Sequence, residues 1–240
     1  MSEGNFKEKT KLDLSRALRI LRNAGRPDPR LLSDNPDAQI QGIIDTLCDL
    51  SIHDGLTGLV NATFFHAVLA REIDRSLRTG RTCGLMVIDI DHFKQINDTY
   101  GHPMGDKVLQ SVASHLKDSL RNMDTAARIG GEEFAVILPE CSPEAAIHAA
   151  ARIHSIFNPL ILTIEQITLR LTTSVGLVWT QPNMLLSSTA LLSEADQEMY
   201  RAKRSGRGRL CYKHADSTLV SHGERSALMA LQIKDSVNGQ

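Results

Sequence analysis

Ile129-Gly130-Gly131-Glu132-Glu133-Phe134 joins two short strand-like runs, Thr125 to Ile129 and Phe134 to Leu138. Adjacent glycines between apolar runs predict a tight β-hairpin, because both turn positions accept positive φ without a Cβ clash. The two residues after the turn are unusual. Glu132 and Glu133 are of a type depleted from strands, and adjacent carboxylates repel unless a cation or water screens them. A turn without side chains also lets a ligand approach the backbone closely. The hairpin alone is equally compatible with a solvent-exposed tip and with a ligand site.

The neighbouring acidic motif favours the site. Asp89-Ile90-Asp91 stands 41 residues before Gly130 and closes the apolar run Leu85-Met86-Val87-Ile88. A carboxylate ending a buried strand beside a Gly-Gly-Glu-Glu hairpin suits Mg²⁺ carrying nucleotide phosphates, since hard cations take oxygen ligands. The bland alternative for Asp89 is a strand-end cap.

A chain of 240 residues allows one ordinary domain with an appendage, or two small domains. A hydrophobic fraction of 42% and a charged fraction of 23% describe a globular protein. The net charge of −1 argues against a general nucleic-acid binder. Cys48, Cys83, Cys141 and Cys211 are widely spaced and form no Cys-x-x-Cys pair, as expected of reduced thiols. The N-terminal residues lack the apolar core of a signal peptide, and no apolar run approaches membrane-spanning length. No membrane association is expected, and the cytoplasm is the expected location.

Leu14, Leu18 and Leu21 predict an amphipathic helix ending near Gly25 and Pro27, followed by a proline-marked linker to Pro36. Ile40, Ile43, Leu47 and Leu50 then recur at helical steps, as in a short parallel coiled coil or in a two-helix cap on its own domain. Helices are predicted over Phe64 to Leu77, His92 to Gly101 and Met104 to Leu120. Cys83 to Ile90 reads as a central strand buried on both faces. Ser142-Pro143 is an N-cap with proline at the first helical position, opening a helix through Phe157. Leu169, Leu171, Thr173, Val175, Leu177 and Trp179 alternate, predicting one strand with one covered face. A helix through Leu191, Ala195, Met199 and Ala202 stops at Gly206, and Arg209 to Lys213 forms a last short strand. Residues 214–240 are polar, with one candidate helix from Glu224 to Val237. Irregularly alternating strands and helices around a hairpin predict an α/β sandwich, its mixed sheet covered by helices.

From about Asp54 to Tyr212 several ordered motifs coincide with those of a known family. Asp54-Gly55-Leu56-Thr57, Asp89-Ile90-Asp91, Gly130-Gly131-Glu132-Glu133-Phe134 and Lys203-Arg204-Ser205-Gly206-Arg207 resemble the diguanylate cyclases, the GGDEF-domain family, in its Gly-Gly-Glu-Glu-Phe variant. The resemblance implies a ferredoxin-like nucleotide-cyclase palm, its mixed central sheet flanked by helices, preceded by a short helical N-terminal segment. Residues 1–53 then form that segment, 54–213 the cyclase domain and 214–240 a tail. The implied activity condenses two GTP into cyclic di-GMP and two pyrophosphates across a homodimer of catalytic domains. The family usually carries Arg after Asn61, where this chain has Ala62; the change removes a local ion pair from the opening turn.

The resemblance also implies residue roles. Asp89, Glu132 and the backbone carbonyl of Ile90 hold the metal, Mg²⁺ or in its place Mn²⁺. Glu132 is in addition the proton acceptor, with Glu133 supporting it. Lys94 stands beside the phosphoryl charge that develops in the transition state. Asn97 and Asp106 hold guanine, whose N–H donors suit a carboxylate and a carboxamide. His102 is a substrate contact or, on the bland reading, a helix-start turn residue. Lys203 and Arg207 bind the triphosphate, although cations at a helix C-terminus also complement the macrodipole. Arg121 and Asp124, at i and i+3 on the strand leading into the hairpin, match a product-inhibition site, with Arg152 as a further ligand. An Arg-x-x-Asp alone is weak, because both residues are common at helix ends. A catalytically silent cyclic di-GMP receptor is the alternative function; the complete set of active-site residues argues against it. His148 and His154 show no metal spacing.

Overall fold

The computed structural model describes residues 13–31, 34–181 and 186–213. The candidate helix from Glu224 to Val237 lies outside the described residues. In chain order the elements are α1 (Ser15–Asn23), a 3₁₀ turn (Pro29–Leu31), α2 (Pro36–Ile52), β1 (Val60–Asn61) and α3 (Ala62–Thr79). Next come β2 (Gly84–Ile90), α4 (Phe93–Tyr100), α5 (His102–Asp118), β3 (Thr125–Arg128) and β4 (Glu133–Leu138). The chain continues through α6 (Pro143–Phe157), β5 (Leu160–Ile164), β6 (Ile167–Leu171), β7 (Thr173–Trp179), α7 (Ser188–Arg204) and β8 (Leu210–Tyr212).

Six strands form one mixed sheet in the order β1-β3-β4-β2-β7-β8. The apolar run before Asp89 makes β2 its central strand, antiparallel to β4 on one side and β7 on the other, and every residue of it is buried. Side chains alternate across a strand. Met86, Ile88 and Ile90 therefore join α4, α5 and α6 in one core. Leu85 and Val87 join α3 and α7 in the second core, on the other face. The same parity carries Asp89 onto the face of α7. The expected fold, a mixed sheet between helical layers, is the one observed.

Three expectations change in detail. The hairpin is not a two-residue turn, for neither Gly130 nor Gly131 has positive φ. Strand pairing ends at Arg128 and Phe134, and the backbone amides of Ile129 and Gly130 both donate to the Glu133 carbonyl, closing a wider loop. A Cβ on Gly130 would meet the end of the Glu133 side chain, which would have to turn aside. The long alternating run is two strands, β6 and β7, parted at Thr172. β6 pairs with the unanticipated β5 in a separate two-stranded sheet, while β7 lies inside the main sheet, buried on both faces. Arg121 and Asp124 occupy the turn before β3 and not the strand, since the backbone groups there close on each other, Asp124 N–H donating to Arg121 C=O at 3.0 Å.

At the N-terminus α1 packs on α2 within one chain, with Leu21 and Ile43 the buried residues. Asn35, Asn61, Ser142 and Ser187 cap α2, α3, α6 and α7 with their side-chain oxygens. Among the described residues no helix is long and apolar enough to cross a membrane.

Among the described glycines, the one pressed against neighbouring backbone lies where α7 crosses β7. Gly176 lies under α7, and a Cβ at that position would overlap the Ala195 carbonyl oxygen and the Met199 amide. Neither backbone atom can yield as a flexible side chain would. Gly176→Ala is therefore expected to destabilise the fold by about 3 kcal/mol, the upper end of ordinary overpacking costs. Chemical denaturation followed by circular dichroism would measure it; an unchanged midpoint would show that α7 moves freely away from the sheet.

Candidate active site

The end of β2 is where the acidic residues meet. Asp89 stands opposite Glu133 in the β2–β4 ladder, so both side chains leave the same face. The Ile90 amide donates to the Glu132 carbonyl at 3.3 Å, drawing the hairpin loop against the strand end. The Asp89 carboxylate, only 3% exposed, meets the Lys203 ammonium at 2.7 Å. Lys203 is delivered by the last turn of α7. There Gly206 N–H donates to the Lys203 carbonyl and Arg207 N–H to the Ala202 carbonyl, the two bonds of a Schellman cap. Lys203 and Arg207 are thus set by one helix ending.

Charge is concentrated here. Burial raises the Asp89 pKa; Lys203 opposes the rise, while Glu133 and Asp91 add to it. Burial and the Asp89 charge raise Glu132 too, again opposed by Lys203. Among the described residues no three His, Cys, Asp or Glu side chains gather closely enough to hold a metal on their own. The donor set nevertheless fits Mg²⁺, which is held by one or two carboxylates together with substrate phosphates and waters. Asp89, Glu132 and the Ile90 carbonyl supply hard oxygen donors of that kind.

The guanine candidates lie on the other face of the sheet. Asn97 is on α4, which packs against α5 beyond the left-handed Gly101. Its Oδ1 is buried without a hydrogen-bond partner, and a Cβ on Gly105 would overlap it. A buried, unpaired acceptor is costly unless something donates to it. His102 and Asp106 are exposed in the first turns of α5, and Lys94 is exposed in the first turn of α4.

The Arg-x-x-Asp pair lies apart, at the far end of α5. The Asp124 carboxylate accepts from the Arg121 backbone amide at 3.0 Å. Arg152 donates to the Ser119 carbonyl at 2.6 Å, two residues before Arg121. The three residues are thus neighbours on one surface.

The family described as "Diguanylate cyclase, GGDEF domain" matches residues 51–209. The chain belongs to the GGDEF-domain family. It is 41% identical over 161 residues to the probable diguanylate cyclase DgcC of Escherichia coli K12, covering 67% of this chain and 43% of that protein. It is 36% identical over 199 residues to the response regulator PleD of Caulobacter vibrioides, covering 78% of this chain and 44% of that protein. It therefore spans less than half the length of these relatives. Among solved structures, the GGDEF domain of DgcB from Caulobacter crescentus, in complex with c-di-GMP, matches with a TM-score of 0.64 and 34% identity. That match covers 70% of this chain and 95% of the other.

Two features of this GGDEF domain were not assigned from sequence. Arg128 donates to the Gly131 carbonyl at 2.7 Å and reaches Asp54 at 3.3 Å, tying the opening motif to the hairpin loop. Asp54 also accepts from the Thr57 amide and hydroxyl. Burial alone would raise its carboxyl, but Thr57 and Arg128 hold it below the ordinary range. The opening turn is thus ion-paired despite Ala62. The only signal was a cation ending a short apolar strand. The second feature is Asp91, whose carboxylate accepts from Thr172, Ser174 and Gly208 and, among the described residues, from no cation.

The raised Glu132 pKa has a sign that can be tested. A carboxyl raised in the folded state favours folding while protonated, and that advantage is lost as pH rises through its folded pKa. In metal-free buffer Glu132→Gln should be more stable than the parent at about pH 8 and no more stable at about pH 4. Denaturant midpoints at both pH values would measure this. A variant less stable at the higher pH would mean that the Glu132 charge is favourably paired.

Proposed function

We propose that this chain is a diguanylate cyclase, condensing two GTP into cyclic di-GMP and two pyrophosphates. The observation that carries the reading is the strand end where Asp89 faces Glu133 across the ladder with the Lys203 ammonium at 2.7 Å. Residues 54–213 form the catalytic domain in this reading, with 1–53 as a helical lead-in and 214–240 as a tail. The protein acts in the cytoplasm as a homodimer.

Each domain binds one GTP. Asn97 Oδ1 and the Asp106 carboxylate accept from the guanine N–H groups, which adenine lacks, and His102 contacts the substrate. Lys203 and Arg207 hold the triphosphate. Asp89, Glu132 and the Ile90 carbonyl hold Mg²⁺, or Mn²⁺ in its place, which supplies charge neutralisation at the phosphates. The 3′-hydroxyl of one GTP attacks the α-phosphorus held by the facing domain. Its proton passes to Glu132, for which a raised pKa is an advantage in a base. The bond to the bridging oxygen breaks and pyrophosphate leaves. Glu133 supports the acidic cluster, and Lys94 meets charge developing on the phosphoryl oxygens. Repeating the step in the opposite sense closes the ring.

Purified chain incubated with GTP and Mg²⁺ should yield cyclic di-GMP, resolved from linear products by chromatography. Glu132→Gln should lose at least about a hundredfold in turnover, the scale of a missing base. No product from the parent at high protein concentration would leave a receptor, not an enzyme.

Arg121, Asp124 and Arg152 form the product site: cations for the phosphates and a carboxylate for guanine. Product bound there holds two domains with their GTP sites apart. Arg121→Ala should therefore abolish inhibition by added cyclic di-GMP and leave the initial rate within about twofold, since the turn lies outside the reacting centre. Arg152→Ala should act more mildly. Initial rates against added product would decide, and an unchanged inhibition curve for Arg121→Ala would reduce the pair to a turn-stabilising contact.

A further inference from the structure

Gly206, Arg207 and Gly208 have φ of 109, 58 and 54°, three consecutive left-handed residues with a non-glycine in the middle. Such a backbone persists only where its surroundings over-determine it. Here they do so from both sides of one residue. The Gly208 N–H donates to Asp91 Oδ2 at 2.9 Å, and the Gly208 carbonyl meets His154 Nε2 at 3.2 Å. Asp91 is 4% exposed and its oxygens are otherwise taken. Thr172 Oγ1 donates to Oδ2 at 2.8 Å and Ser174 Oγ to Oδ1 at 2.7 Å, while the Asp91 amide donates to the Thr172 carbonyl at 2.9 Å. His154 comes from α6, whose C-terminal Asn158 is itself bonded to Thr173.

We infer that Asp91 is a positioning residue: with His154 it locks the 206–208 loop so that Arg207 is aimed at the triphosphate, and it is not a second metal ligand. The two carboxylates of Asp89-Ile90-Asp91 leave the same face of the chain but are used differently. Asp89 faces an ammonium and the acidic hairpin. Asp91 is consumed by three neutral donors, one from the β6–β7 junction, one from β7 and one from the loop it holds. The inference rests on the reading of Arg207 as a triphosphate ligand.

The test uses the full chain and measures the KM for GTP, kcat, the Mg²⁺ concentration for half-maximal rate, and inorganic tripolyphosphate binding by calorimetry. Asp91→Ala should raise the KM and weaken tripolyphosphate binding about tenfold, with a smaller change in kcat. Asp91→Asn should stay within about threefold, because its carboxamide oxygen still accepts from Gly208 while its NH₂ donates to Ser174 Oγ. In an Arg207→Ala background the Asp91→Ala loss should vanish, as expected of residues acting in series. Should Asp91→Ala not fold, His154→Leu frees the same loop from its other side and must show the same loss and the same disappearance. Equal losses with and without Arg207 would overturn the inference, as would an Asp91→Asn protein needing much more Mg²⁺. A KM unmoved by Arg207→Ala alone would instead overturn the assignment of Arg207.

Discussion

Two carboxylates at the end of a strand sealed on both faces are the constraint on which the rest of this structure depends. Charge removed from water must be paired or saturated with hydrogen bonds, or it is not retained as charge. β2 is buried along its whole length; Asp89 is its penultimate residue and Asp91 follows its last. Asp89 is answered by Lys203 and Asp91 by three neutral donors. Meeting both demands brings the C-terminus of α7, the loop after it and the β6–β7 junction to one end of the sheet. The architecture that hides these charges also assembles the site.

The arrangement keeps the site tense in electrostatic terms. One ammonium faces a group of carboxylates, and Asp89 and Glu132 are pushed upward in pKa by burial and by neighbouring carboxylates. Such crowding costs stability in the absence of a further cation and favours binding one. Perturbed carboxylates of this kind cluster at functional sites and also occur in structural ion-pair networks.

The hairpin that carries Glu132 is not held by its glycines alone. Arg128 bridges its Gly131 carbonyl to Asp54, immediately after the helical lead-in. Asn61 reaches back to the Ser51 carbonyl at 2.8 Å, and His53 bridges to Val60. The end of α2 and the acidic loop are therefore linked through a short series of polar contacts. A two-residue turn, expected from Gly130-Gly131, would have needed no such brace. The wider loop does, because pairing of β3 with β4 stops before it.

Local chemistry made much of this legible in the sequence. The unbroken apolar run identified β2, the caps at Ser142 and Gly206 marked helix ends, and the acidic hairpin beside Asp89 pointed to the candidate site. These are short-range properties, set by side-chain period and backbone preference. The sequence also misled where a small residue answered a tertiary demand. Ser174 and Gly176 alternate with Thr173, Val175 and Leu177 as though one face of the strand met water. They are small because α7 lies directly on Gly176 and Asp91 draws on the Ser174 hydroxyl. Partner choice was likewise invisible: parity along β2 sets the face on which Asp89 emerges, but nothing local says that Lys203, 114 residues on, will meet it. Only the packing of α7 across the sheet decides that, since a buried charge selects whichever cation the fold can bring within reach.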